Sequence, residues 1–197
     1  LLAILIKIDS RGPTLYKQVR IGRDGKRFVM FKFRSMRTDA ETQSGPIRTG
    51  PDDQRRTRVG RFLRRYSLDE LPQLLNVFKG EMSLVGPRPC LPYEAEEYRR
   101  WHSNRFDVLP GITGLWQVSG KNKLTFKQMI RLDISYCQNM SLRLDLKILL
   151  LTFPTIVGFI LEGIANRIRR SARALQANSP AEPIEAKKVP DSFVEQT

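Results

Sequence analysis

Two β-prone runs, Leu15–Ile21 and Arg27–Phe33, flank Gly22-Arg23-Asp24-Gly25. Asp-Gly between such runs marks a hairpin. Side chains alternate along a strand. Val29, Phe31 and Phe33 therefore point one way, and Phe28, Met30, Lys32 and Arg34 the other. The stretch 39–58 is polar, is broken by Gly45-Pro46 and Gly50-Pro51, and reads as a long mobile loop. Val59–Arg65 and Leu68–Phe78 read as helices. Glu81–Pro92 contains Gly86-Pro87-Arg88-Pro89 and cannot be regular helix. Tyr93–His102 reads as a charged helix, and Pro110–Val118 as extended with Gly111 and Gly114 as breakers. Leu124–Asn139 reads as an amphipathic helix whose face runs Phe126, Met129, Ile130, Asp133, Cys137. No internal repeat is visible. The pattern predicts an α+β fold, mainly helical, with one small β-hairpin.

The ends carry the strongest apolar runs. The chain opens Leu1-Leu2-Ala3-Ile4-Leu5-Ile6-Lys7-Ile8. Eight helical residues reach only about 12 Å, far short of a ~30 Å hydrocarbon core. The run suits a buried element or the stub of a membrane segment. Residue 1 is Leu, which points to a fragment or a processed chain, and no basic region precedes the run as in a signal peptide. A second apolar run, Ile148–Leu161, is interrupted by Pro154 and Gly158. It is too short to span and suits a core helix or a segment in the membrane interface. Arg167, Arg169, Arg170 and Arg173 follow, spaced to decorate a helix near anionic headgroups. Residues 174–197, rich in Ala, Pro, Glu and Ser, read as a disordered tail.

Charge narrows the partners. The 197 residues hold 34 Lys and Arg against 20 Asp and Glu, a net +14. Residues 1–70 alone carry net +9. Such a field suits nucleic acid, phospholipid headgroups or a phosphorylated small molecule. Cys90 and Cys137 are too few and too far apart for a disulfide scaffold. His102 is the single histidine, so a zinc site is nearly excluded and a histidine general base would rest on it alone.

Four groups of residues can carry chemistry. Ser67-Leu68-Asp69-Glu70-Leu71-Pro72-Gln73 reads as a capping box, Ser67 with Glu70, or as two adjacent carboxylates at a helix N-terminus. A helix start at Leu68 or Asp69 accommodates Pro72 better than a start at Ser67. In either case the local dipole is expected to favour ionised carboxylates. Ionised carboxylates are nucleophiles or ligands for hard cations such as magnesium. Arg64 and Arg65 lie just upstream. Pro87 and Pro89 fix the backbone around Arg88, which gives either a rigid turn or a preset fork for phosphate oxygens. Asp133 on an apolar stripe must be paired, metal-bound or unsatisfied; it is a structural ion pair, or else a second acidic ligand or a support for the dyad. Lys32, Arg34, Gln18 and Arg20 form a basic hairpin face. Phe31 and Phe33 point away from it, which argues against stacking on nucleic-acid bases. No P-loop and no Gly-x-Gly-x-x-Gly is present.

These strings together resemble the bacterial sugar transferase family, the monotopic phosphoglycosyl transferases or polyprenyl-phosphate glycosyl-1-phosphate transferases. The resemblance rests on Gly12-Pro13, Gln18-Val19-Arg20-Ile21-Gly22, Lys32-Phe33-Arg34-Ser35-Met36, Leu63-Arg64 and Ser67–Gln73. It continues through Asn76–Ser83, Val85–Pro89, Pro110–Val118 and Leu132-Asp133-x-x-Tyr136, covering roughly residues 1–160 in order. It implies transfer of a sugar-1-phosphate from a UDP-sugar to undecaprenyl phosphate, with magnesium, release of UMP and a covalent phosphosugar–aspartate intermediate. That reaction is the first membrane step of exopolysaccharide, capsule, O-antigen or related glycan assembly. It takes place at the cytoplasmic face of the bacterial inner membrane.

By motif position Asp69 resembles the nucleophile and Glu70 the adjacent acid, both facing magnesium. Arg88, Lys32, Arg64, Gln18, Arg20 and Arg34 resemble the substrate and phosphate side of the site. Asp133, Tyr136, Pro87 and Pro89 resemble its supports. The resemblance also implies that residues 1–8 end a re-entrant membrane helix. Residues 9–166 form the catalytic domain with an interfacial segment at 144–166, and 167–197 form a basic stretch and tail. The sugar, and the oligomeric state, a homodimer included, are left open. The competing reading is a non-enzymatic basic module on anionic membrane or nucleic acid.

Overall fold

The computed structural model describes residues 1–40, 53–120, 124–155 and 157–158. The expected loop over 39–58 lies mostly outside the described residues, as do the arginines from 167 to 173 and the tail. The elements are α1 (Leu2–Asp9), β1 (Leu15–Ile21), β2 (Arg27–Phe33), α2 (Arg58–Arg65), α3 (Leu74–Phe78), β3 (Ser83–Val85), α4 (Pro92–Glu96), β4 (Gly111–Thr113), α5 (Leu115–Val118) and α6 (Phe126–Gln138). A last helix, α7, covers residues 142–155. Short 3-10 turns cover Leu68–Gln73 and Arg100–Phe106. The fold is α+β.

β1 and β2 pair antiparallel from Leu15 with Phe33 to Ile21 with Arg27, the hairpin that the Asp-Gly turn predicts. Asp24 takes the left-handed conformation (φ 57°) that closes it. Met30, Lys32 and Arg34 share the inward face, and Met30 is buried. Three elements differ from the sequence expectation. Leu68–Phe78 is helical throughout, but its first half is 3-10, because Pro72 lacks the N–H that an α-helical turn requires. Tyr93–His102 is two elements. Arg99 is extended (φ −75°, ψ 159°), and its N–H donates to His102 Nδ1 at 3.1 Å, which restarts the chain as a 3-10 turn. Pro110–Val118 is strand only to Thr113; Gly114, extended, then starts α5.

β3 and β4 form a short parallel pair, Ser83 with Gly111 and Val85 with Thr113. The backbones approach so closely that a Cβ on Gly111 would sit 2.1 Å from the Gly86 nitrogen. A Cβ on Gly86 would sit 2.4 Å from the Leu109 carbonyl oxygen, so glycine is required at 111 and again just before the Pro87-Arg88-Pro89 segment. Gly60 serves α2 likewise: a Cβ there would lie 1.9 Å from the Ser35 carbonyl. α2 can thus sit against the end of β2, its N-terminus capped by Thr57 Oγ1.

Val85, Tyr136 and Ile148 form a buried core cluster joining β3, α6 and α7. The Tyr136 hydroxyl donates to Asp145 Oδ1 at 2.7 Å and lies 3.2 Å from the Val85 carbonyl. Asn76, fully buried, stitches α3 to β2. Its Oδ1 accepts from the Phe31 N–H at 3.1 Å, and its Nδ2 donates to the Val29 carbonyl at 2.7 Å. α7 runs through Pro154, which does not end it as the sequence suggested. Among the described residues no helix is long and apolar enough to cross a membrane.

Candidate active site

The carboxylate pair is presented by an unusual backbone. Ser67 adopts the left-handed conformation (φ 55°, ψ 21°), where a residue with a Cβ is about 1–2 kcal/mol worse than in the right-handed one. This bend carries the chain out of α2 into the 68–73 turn, which packs against β2. The expected capping box does not form, since the Ser67 side chain caps nothing. Glu70 Oε1 instead accepts from Lys32 Nζ at 3.2 Å and from Arg88 Nη1 at 3.4 Å. Asp69 lies beside it, buried at 7 % exposure. Strained backbone of this kind clusters at functional sites.

Burial works against the ionised form of Asp69 that the sequence favours. A short 3-10 turn supplies little dipole, and burial, then the neighbouring Glu70 charge, push the Asp69 carboxyl above the usual carboxylate range. Lys32 and Arg64 pull it back. Burial likewise lowers the Lys32 ammonium below the usual lysine range, against the pull of Glu70.

The pair stands in the wall of a cleft of about 1070 Å³ that also takes in Gln18, Arg20, Lys32, Arg64, Arg88 and Asp133. Two of these cations, Arg20 and Arg64, donate to neutral partners. Arg20 donates twice to Gln18 Oε1, at 3.1 and 2.6 Å, and to the Pro89 carbonyl at 3.1 Å. Burial and Arg88 lower its pKa to about 10. Arg64 donates to Ser35 Oγ at 2.8 Å. Pro87 and Pro89 are buried while Arg88 between them is half-buried, so the two rings anchor a segment whose guanidinium reaches the cleft. Arg34 is committed differently. Its guanidinium donates to the carbonyls of Arg11 at 2.5 Å and Ser10 at 2.6 Å, so it holds the chain that follows α1.

Asp133 is an ion-paired group, 1 % exposed, whose Oδ2 lies 2.6 Å from Arg105 Nη2. Burial pushes its carboxyl up to about 7 despite Arg105 and Arg88. Arg105 was not singled out by the sequence. It also donates to the Arg88 carbonyl at 2.6 Å and to the Tyr98 hydroxyl at 2.6 Å. It thus grips the backbone whose side chain meets Glu70. No local pattern marks it, because its partner lies 28 positions away on α6. Tyr136 stands in the core rather than in the cleft and ties β3 to α7.

The donor set can be tested against magnesium. Among the described residues no three or more His, Cys, Asp or Glu gather as an all-protein cage. Magnesium rarely uses one; it takes one or two carboxylates and completes its shell with waters and substrate phosphates. Adjacent Asp69 and Glu70 beside a basic cleft fit that mode.

The site is thus a carboxylate pair facing a cation-lined cleft. The family model for bacterial sugar transferases matches residues 1–158, and the chain belongs to that family. It is similar to the galactosyl transferase CpsE of Streptococcus agalactiae, 44% identical over 157 residues that cover 74% of this chain and 35% of CpsE. It is equally similar to the UDP-glucose:undecaprenyl-phosphate glucose-1-phosphate transferase of Klebsiella pneumoniae, 44% identical over 167 residues, 81% of this chain and 35% of that protein. The uncharacterized sugar transferase EpsL of Bacillus subtilis is 44% identical over 160 residues, 81% of this chain and 77% of EpsL. The chain thus spans about a third of the first and second of these and most of the third.

Proposed function

We propose that the chain transfers a sugar-1-phosphate from a UDP-sugar to undecaprenyl phosphate and releases UMP. One observation carries this reading: adjacent Asp69 and Glu70 stand in a basic cleft, with Lys32 and Arg88 both on Glu70. The printed names of relatives support the donor and acceptor classes. Relatives of equal identity are named for galactose and for glucose, so the family motifs serve the phosphate chemistry rather than the choice of hexose.

In the first step an Asp69 oxygen attacks the phosphorus that bears the sugar. The bond to the bridging oxygen breaks, and UMP leaves with that electron pair. In the second step a phosphate oxygen of the lipid attacks the same phosphorus. The acyl phosphate bond breaks, Asp69 returns as a carboxylate, and the product is a lipid diphosphate sugar. Burial of Asp69 strips water from the nucleophile, and the fields of Lys32 and Arg64 keep an ionised fraction available. Lys32 and Arg88 can leave Glu70 for phosphoryl oxygens as charge develops there. Magnesium, held by Glu70 and Asp69, would neutralise phosphate charge when bound.

The reading places this chemistry at the cytoplasmic face of the inner membrane, where UDP-sugars are found. α7 supports it. Ile148 is buried, whereas Leu142, Leu146, Leu150 and Phe153 form one exposed apolar stripe that suits an interfacial helix.

The test is rapid quench with UDP-sugar and no lipid. One UMP per enzyme and a phosphosugar adduct on Asp69 are expected; absence of both in an otherwise active enzyme would mean direct in-line transfer.

A further inference from the structure

Besides the basic cleft, the molecule has a second hollow of about 380 Å³, within the usual size of small-ligand sites. Its walls are Leu71 and Leu74, Leu84 of β3, Ile112 of β4, Val118 of α5 and Leu149 of α7. Among the described residues Glu70 is its only charged lining residue. Its three threonine hydroxyls are already partnered, Thr113 with Thr152 at 2.8 Å, Thr152 Oγ1 with the Ile148 carbonyl and Thr155 Oγ1 with the Leu151 carbonyl, and Tyr66, Ser67 and Gln117 add polar atoms to its rim. What the hollow offers is aliphatic surface. Leu71, Leu74, Leu84 and Leu149 are each between 38 and 45 % exposed around it. Grouped exposure of large aliphatic side chains marks a binding surface.

The position of the hollow says what it binds. Ser67 and Glu70 line both this hollow and the basic cleft. The strained turn that bears the carboxylates is therefore one wall with a cationic side and an aliphatic side. A molecule that is hydrocarbon at one end and phosphate at the other matches both sides when it straddles that wall. Resting on the transferase reading above, we propose that this hollow seats the isoprenyl units nearest the phosphate of the polyprenyl acceptor. The acceptor then reaches the phosphosugar from the aliphatic side, while the nucleotide enters and leaves by the cationic one. A phospholipid also joins hydrocarbon to phosphate, but its phosphodiester lacks the terminal phosphate that the transfer requires.

Leu84→Trp and Leu149→Trp fill the hollow from two different elements, and neither residue belongs to the basic cleft. The full chain is assayed in detergent with undecaprenyl phosphate, and separately with citronellyl phosphate and butyl phosphate, which differ in carrying isoprenyl units. In the wild type citronellyl phosphate should be preferred to butyl phosphate. In both variants the UMP burst formed without acceptor should stay within about twofold of wild type, which also reports a folded site. The KM for undecaprenyl phosphate should rise by about tenfold or more, the scale of losing fit in an apolar pocket, and the preference for citronellyl phosphate should collapse. An unchanged burst with unchanged acceptor KM and unchanged preference in both variants overturns the proposal. So does loss of the burst in both, which would assign the hollow to the donor or to the fold. Absence of any UMP burst or acceptor-dependent turnover in the wild type would instead sink the transferase reading itself.

Discussion

Two carboxylate–cation clusters lie on either side of Arg88, and they are built differently. In the cleft, Lys32 and Arg88 share one oxygen of Glu70 at 3.2 and 3.4 Å, with side chains 15 to 33 % exposed. In a buried part of the same cleft wall, Arg105 meets Asp133 at 2.6 Å, at 6 and 2 % exposure, and also grips the Arg88 carbonyl. Longer, shared contacts in a partly exposed site leave cations that can change partner. Short contacts in a dry site fix geometry, at a desolvation cost that a buried pair rarely recovers as stability. The open cluster is chemistry and the closed one is its frame.

The largest effect is expected in the open cluster. Asp69→Asn keeps shape and removes the nucleophile, so turnover should fall by about a thousandfold or more while the thermal midpoint stays near wild type. Glu70→Gln should also be severe, because Lys32 and Arg88 lose their anionic partner, and it should blunt the response to magnesium. Turnover of Asp69→Asn within tenfold of wild type would break the distinction between chemistry and frame.

The closed cluster should respond in stability first. Arg105→Met leaves Asp133 buried and unpaired, a loss of about 3–5 kcal/mol in denaturant melts. Adding Asp133→Leu should recover most of that, since apolar replacement of a buried pair is often neutral. Activity should not recover with it. With the Arg88 carbonyl released, the double variant should keep a KM for UDP-sugar raised by about tenfold. Recovery of both together would make Arg105 a purely structural residue.

The sequence disclosed these two clusters unequally. The hairpin and the Asp69-Glu70 pair were legible because their signals are local: an Asp-Gly turn between β-prone runs, and adjacent acids before a proline. The surroundings of the pair were not. Ser67 with Glu70 has the letters of a capping box, but Ser67 goes left-handed and Glu70 turns to Lys32, 38 positions away. Arg34 was placed on the right face of β2, yet carbonyls after α1 take its guanidinium. Asp133 stood out as a carboxylate on an apolar stripe, but its partner could not be named. Arg105 sits in a stretch between the expected Tyr93–His102 helix and Pro110 for which the pattern gave no element. The extended Arg99, its N–H on His102 Nδ1, breaks the expected helix, and such a side-chain bond leaves no periodic trace.

The smallest and sharpest prediction sets the clusters against each other with acid. In the closed cluster the Asp133 carboxyl is held at about 7, above its value near 4 in the unfolded chain. Between about pH 4 and 7 the folded state therefore keeps a proton that the unfolded state has lost. Its contribution to stability falls as pH rises through that window, by at most about 1.4 kcal/mol per pH unit, and levels off above it. In the open cluster the raised Asp69 carboxyl must lose its proton to act, so activity falls on acidification before an ordinary carboxylate would titrate. Acid should thus cost activity in the open cluster while adding relative stability in the closed one. Asp133→Asn separates the two. Subtracting its pH–stability curve from that of wild type should isolate the downward slope between about pH 4 and 7, and its pH–rate profile should keep the acid limb set by Asp69. A flat difference curve would mean that Asp133 stays ionised beside Arg105 throughout, and the closed pair would then be a permanent charge pair instead of a titrating one.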